Sequence, residues 1–309
     1  GSLLARSLME LIIMGAIMGI GAGIIIPLST GFIVDYFTGD YRVKQLGISS
    51  AVNNLTLVIA TALTGWLAER EWHYAFAVYL LPAVTLILIP ALGHATPSPE
   101  PSEGAQHRQK SINRRMIVGL MLFYFAITYC SLIVTFNTSY LVAEGGMSDS
   151  TSGVIISLFF LAIMAPGFVL NRIIAICGAL TNLWSLVMMG CGLAVIAFLP
   201  TTALWLIVGV VLTGIGYGVL QPIIYDKAAI VAPPEAATKA LSVVMTVNYV
   251  AVVVCPLVVD FVAKIMGQNR STFPFVASAV LVAMVAFLSL LMRKSFVLGL
   301  DESYYSGKK

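Results

Sequence analysis

The chain has 309 residues, 59% of them hydrophobic and only 10% charged, with a mean hydropathy of +0.97. A soluble domain carries about 25% charged residues, so this composition excludes a fold surrounded by water and makes lipid the solvent for most of the surface. The net charge of +3 is too small to imply an acidic partner. The four cysteines lie in apolar runs without metal-ligand spacing and read as buried packing residues.

Gly1-Ser2 stands in place of an initiator Met and reads as the scar of a cleaved tag; no signal-peptide pattern follows. Crossing a bilayer takes about 20 mostly apolar residues. Nine segments meet that length: 8–34, 46–68, 73–93, 116–138, 152–170, 174–198, 203–230, 239–262 and 272–294. Short connectors make sequential helices antiparallel neighbours. Lone interior prolines (Pro82, Pro166, Pro222, Pro256) are expected to kink spans rather than end them. Residues 94–115 are rich in Pro, Ser and Gln, then turn basic, and read as a flexible linker with its basic end against anionic headgroups. Alternate connectors hold 13 and 4 of the 17 Lys and Arg residues. That bias puts the linker and the C-terminus in the cytoplasm, and the N-terminus of this chain outside.

A nine-residue stretch, Gly19-Ile20-Gly21-Ala22-Gly23-Ile24-Ile25-Ile26-Pro27, recurs 195 residues later as Gly214-Ile215-Gly216-Tyr217-Gly218-Val219-Leu220-Gln221-Pro222. The same offset pairs Lys44 with Lys239, Leu46 with Leu241, and Val52-Asn53 with Val247-Asn248. This is the mark of an internal duplication. The expected fold is an all-α polytopic membrane helical bundle of two pseudo-repeated halves. Residues 1–93 would be the N-terminal half with three spans, 94–115 the cytoplasmic linker, and 116–309 a six-helix C-terminal half. Three spans precede the motif in the second half and none in the first. A complete plan would therefore add three spans to the nine, giving twelve, with the missing three at the front.

Two tandem halves joined by a basic cytoplasmic linker resemble the layout of the major facilitator superfamily. Locally, Leu11 to Gly23 resembles that family's fourth-helix signature: Met18-Gly19-Ile20-Gly21 fits its latter part, and Gly15 stands where the family carries an Arg. The run from Asp35 to Gly65, followed by Trp72-His73-Tyr74-Ala75-Phe76, is similar to the family's passage from fourth to sixth helix. Gly47 and Gly65 fit the two ends of its antiporter signature, while Ala60-Thr61 replaces Gly-Pro and Thr64 replaces a Gly. The resemblance implies that the spans correspond to helices four to twelve, and that the protein is a secondary transporter of a small organic solute working by alternating access. It also implies proton coupling, and a central cavity nearest spans 8–34, 116–138 and 203–230.

Polar residues inside these spans are the candidate substrate contacts, because unpaired polar groups in hydrocarbon cost several kcal/mol. Tyr217, Gln221 and Tyr225 follow one another at four-residue intervals and share a helix face. Tyr124, Tyr129 and Asn137 lie on the span after the linker, Asn53 and Asn54 near the middle of the second span, and Asn248 and Tyr249 at the equivalent place in its repeat. A cavity lined by Tyr, Asn and Gln suits neutral or weakly charged solutes. Gly19, Gly23 and Pro27, with Gly214, Gly218 and Pro222, have the small-residue spacing that brings helices close, and read as packing or gating elements. Asp35, Asp226-Lys227, Asp260 and Lys264 fall near span ends and read as snorkelling or interfacial groups. Asp226, which continues the Gln221 and Tyr225 face, is the candidate for proton coupling.

Export of amphipathic compounds and uptake of sugars or other small metabolites both remain open. So do a non-transporting receptor or scaffold with the same fold, and a truncated, inactive transporter. The expected partners are a small-molecule substrate, the lipid bilayer and, by analogy, protons. An enzyme is not expected: His73, His94 and His107 all lie in or beside connectors, and no phosphate-binding loop is present. No cofactor and no nucleic acid is called for.

Overall fold

The computed structural model describes residues 2–5, 7–37, 39–68, 71–83, 113–147, 149–200, 202–233, 236–266, 271–293 and 295–300. Among them, every regular element is a helix. The α-helices are α1 Leu8–Tyr36, α2 Gly39–Ala68, α3 Arg114–Glu144, α4 Asp149–Cys177, α5 Thr181–Phe198, α6 Ala203–Ile230, α7 Ala237–Met266 and α8 Phe273–Leu291; a 3-10 segment spans Trp72–Leu80. Helices are what lipid permits, because each satisfies its backbone groups internally. Two helix starts carry a side-chain cap: Ser7 Oγ accepts from the Glu10 amide at 3.3 Å, and Asn113 Oδ1 from the Met116 amide at 3.3 Å.

Among the described residues, six apolar helical stretches are by length and composition able to cross a membrane: Leu8–Tyr36, Arg114–Glu144, Thr151–Phe198, Ala203–Ile230, Ala237–Val262 and Phe273–Leu291. The third, at 48 residues, contains both α4 and α5, and the chain turns between them at Gly178, whose φ of +52° suits a residue without a side chain. The expected count of nine is thus not confirmed. The second expected span is helical as α2 but is not among the six. Of the third, 73–93, the structure describes a 3-10 helix to Leu80, a turn and the first residue of a helix; 84–93 lie outside the described residues, as does the linker up to 112.

Of the prolines expected to kink their helices, Pro166 lies in the helix that breaks helical dihedrals, at Val169 (φ −120°, ψ 15°); a proline's own missing donor and ring clash act on the turn before it. α6 and α7 run on as helices through Pro222 and Pro256, and α1 through Pro27.

The two copies of the glycine motif sit in opposite surroundings. On α6, a Cβ added at Gly214 would meet Ala162 Cβ and Phe159 O at 2.8 Å, one added at Gly218 would collide with the Ile163 carbonyl, and one added at Gly216 with the Ser185 carbonyl. These glycines let α6 lie directly on α4 and α5. On α1, added Cβ atoms at Gly15, Gly19, Gly21 and Gly23 would find nothing within 4 Å, and Ile12, Ile13, Ile17, Ile20, Ile24 and Ile25 are exposed. α1 meets the bundle toward its C-terminal end, where Gly31 abuts Thr238 of α7. α2 is held more closely: Gly47 packs on Gly167 of α4, where a Cβ at Gly47 would stand 2.7 Å from the Gly167 carbonyl.

Candidate functional site

Three helices meet at Gln221. Its amide nitrogen donates to the Tyr225 hydroxyl at 3.2 Å and to the Tyr124 hydroxyl at 3.3 Å, and its amide oxygen accepts from the Ser50 hydroxyl at 3.0 Å. The two tyrosine hydroxyls are 2.7 Å apart, and their rings meet edge-on with centroids 5.6 Å apart. α6 thus supplies Gln221 and Tyr225 from one face, α3 supplies Tyr124, and α2 supplies Ser50. One turn back along α6, the Tyr217 hydroxyl lies 3.3 Å from Thr128 Oγ1 of α3. Tyr124, Tyr217 and Tyr225 are all buried.

The donor count shows what this cluster offers. Both amide hydrogens of Gln221 are used. Each tyrosine oxygen already accepts one of them, so whichever hydroxyl donates to the other, the second keeps its proton outside these contacts. The cluster is polar and uncharged, and Tyr217 extends it through a side-chain hydrogen bond to Tyr124. That suits recognition of a solute that exchanges hydrogen bonds with it and has a broad apolar body.

The structure brings together Tyr124, Tyr217, Gln221 and Tyr225 from the expected set, and adds Ser50 and Thr128. Asn54 is buried, but its side-chain nitrogen donates back to the Ser50 carbonyl of its own helix at 2.8 Å. Asn53 and Tyr249 are exposed, while Tyr129, Asn137 and Asn248 are half-buried; Tyr129 stacks on Phe125. Among the described residues, none of these five hydrogen-bonds to the Gln221 cluster through its side chain.

Asp226 and Lys227 do not behave as interfacial groups. Asp226 is 1% and Lys227 2% exposed. Asp226 accepts from Arg42 Nε of α2 at 2.6 Å, a buried ion pair that joins α2 to α6. Lys227, the next residue, points the other way: its ammonium donates to the carbonyls of Val297 at 3.1 Å and Gly299 at 2.6 Å. A buried carboxylate and guanidinium need a pairing of the quality that Asp226 and Arg42 show. Asp35, Asp260 and Lys264 are exposed, as expected of groups at helix ends, and Asp35 receives the Thr238 hydroxyl at 3.4 Å.

Sequence reasoning did not find Ser50 or Thr128; for Asp226 it offered Lys227 or a basic group of the other half as the partner without naming Arg42, which is such a group. Small hydroxyls in helices mostly bond their own backbone, as Thr30, Thr56, Thr138, Thr213 and Ser242 do here. Nothing in the spacing of Ser50 or Thr128 sets them apart from those.

The family model described as Major Facilitator Superfamily matches residues 1–140 and 116–302, nearly the whole chain. The chain belongs to the Major Facilitator Superfamily. With its apolar helices, membership makes it an integral membrane protein. Two curated relatives of this superfamily chain come from Bacillus subtilis (strain 168). It is similar to multidrug transporter protein MdtP, with 33% identity over 91 residues, which cover 29% of this chain and 17% of the relative. It is also similar to multidrug resistance protein 3, with 27% identity over 129 residues, 40% of this chain and 24% of the relative. The matches thus span about a quarter or less of the length of these relatives.

Proposed function

We propose that this protein carries neutral or weakly charged amphipathic organic molecules out of the cell by alternating access. The observation that carries the reading is the Tyr124–Gln221–Tyr225 cluster, an uncharged hydrogen-bonding centre tied through Ser50 to α2. Its position between helices on either side of the linker is where a rocking pair of halves would alternately expose a solute. The names of the two Bacillus subtilis relatives, both multidrug proteins, favour export of amphipathic compounds over uptake of sugars.

In this reading the Arg42 end faces the cytoplasm, following the distribution of Lys and Arg, and the Arg42–Asp226 pair closes it. Proton coupling then has a simple form. A proton taken up by the Asp226 carboxylate removes the negative charge that holds Arg42, and α2 is released from α6 at that end. Loss of the proton restores the carboxylate and the closed pair.

The test is flux of an uncharged amphipathic fluorescent dye in proteoliposomes with and without an imposed pH gradient. Gradient-driven movement above protein-free vesicles is expected. Gln221→Ala, which removes three hydrogen bonds, should lower it by about tenfold. Folded protein that moves no dye above protein-free vesicles, in either direction of gradient, would overturn the reading.

A further inference from the structure

The residues after α8 fold back under the bundle and are held there by side chains from three helices. Lys227 of α6 takes the carbonyls of Val297 and Gly299, while Asn182 of α5 at 3.0 Å and Ser289 of α8 at 2.9 Å both donate to the carbonyl of Leu298. Three consecutive backbone acceptors are thus claimed by three side chains, all of them buried. The Lys227 ammonium also sits 5.8 Å from the centre of the Phe296 ring. Val297 lies against Gly119 of α3, where an added Cβ would stand 3.0 Å from Val297 Cγ2. At Gly299 the chain turns so tightly that an added Cβ would collide with the Arg293 carbonyl.

The segment ends on Leu300, which is 3% exposed and packs in a small apolar cluster apart from the main core. The other members are Val43 of α2, Leu170 of α4, and Val219 and Ile223 of α6. Val43 is the immediate neighbour of Arg42. Leu300 therefore occupies the same closed end as the Arg42–Asp226 pair, in a cluster that draws residues from both sides of the linker.

We propose that residues 295–300 form a strap that locks this end of the protein shut. Lys227 is its anchor, a positioning residue, and Leu300 is the bolt between α2 and the α4–α6 pair. For α2 to leave α6 at this end, the cluster that Leu300 shares with Val43 must come apart and expose apolar surface to water, which disfavours opening. The strap and the ion pair then act in parallel on one movement, one through apolar burial and the other through charge. The proposal rests on the alternating-access reading only in that α2 moves away from α6; it concerns the local equilibrium and not the solute.

Hydrogen-exchange mass spectrometry on the full chain in nanodiscs tests it without reference to flux. Leu300→Ala removes the bolt and leaves the Lys227 anchor intact. Gly299→Ala displaces the strap, and Lys227→Met removes the anchor. In Leu300→Ala, amides in peptides covering 42–50 of α2 should exchange about tenfold faster than in the unaltered chain. The two strap variants should add faster exchange at 295–300 itself. If these variants loosen only 295–300 and leave α2 unchanged, or if Leu300→Ala changes nothing, the strap is a passive tail and the proposal fails. Should Lys227→Met fail to fold, Leu300→Ala alone decides. A protein that moves no dye would sink the transport reading and leave this result standing.

Discussion

Arg42 Nε and Asp226 Oδ1 lie 2.6 Å apart, both side chains buried, although the two residues are separated by 184 positions in the chain. No other ion pair between α2 and α6 is present among the described residues. Much of the fixed relation between these helices at this end therefore depends on one carboxylate and one guanidinium.

Breaking that pair from one side strands a buried charge, at a cost of about 3–5 kcal/mol. Asp226→Asn and Arg42→Gln should each lower thermal stability in detergent, whereas the double replacement Arg42→Met with Asp226→Met should recover most of the loss. Asp226→Asn should also make dye flux insensitive to an imposed pH gradient. Unchanged gradient dependence in a folded Asp226→Asn protein would remove this carboxylate from the coupling scheme.

Gln221 links Ser50, Tyr124 and Tyr225, so substitutions within the cluster should not add. Ser50→Ala leaves the Gln221 carbonyl short of a donor, and Tyr225→Phe leaves one of its amide hydrogens short of an acceptor; each should cost about 1 kcal/mol. Combining either with Gln221→Ala should cost little beyond Gln221→Ala alone, a coupling of about 0.5–1.5 kcal/mol in a double-mutant cycle on thermal stability. Strict additivity would mean that the contacts contribute nothing as a network.

The repeated glycines should respond oppositely to the same change. Gly214→Ala and Gly218→Ala force α6 off the α4 backbone and should destabilise by about 1–3 kcal/mol. Gly19→Ala and Gly23→Ala point into open space, and Ala favours a helix by about 1 kcal/mol over Gly. Those two should be neutral or stabilising in thermal melts of the detergent-solubilised chain.

That contrast marks the boundary of what could be read from the residues. Glycine spacing, apolar length and the fixed offset located α1 and α6, because backbone satisfaction in lipid leaves few other choices for such runs. The face shared by Tyr217, Gln221 and Tyr225 was legible from helical periodicity, since all three sit on one element. What packs against a motif was not: Gly19 and Gly214 carry the same local sequence, yet one faces open space and the other a helix backbone. Partners across helices were hidden for the same reason. Arg42 has no local feature that points to Asp226, and Lys227 bonds main-chain oxygens, which every residue has. The segment 73–93 looked like its neighbours by hydropathy, but its described part winds as a 3-10 helix, which apolar length cannot distinguish from α.

The Gln221 amide is satisfied from within the protein: both its hydrogens and its oxygen already have partners. A solute that hydrogen-bonds there does so largely by exchange, giving the cluster about as many bonds as it displaces. Polar matching then adds little to affinity, and the apolar area that the solute covers sets most of it. On the proposed function, a centre built this way would rank solutes by size and greasiness more than by the exact placement of their heteroatoms, and poor chemical discrimination would then be a form of breadth.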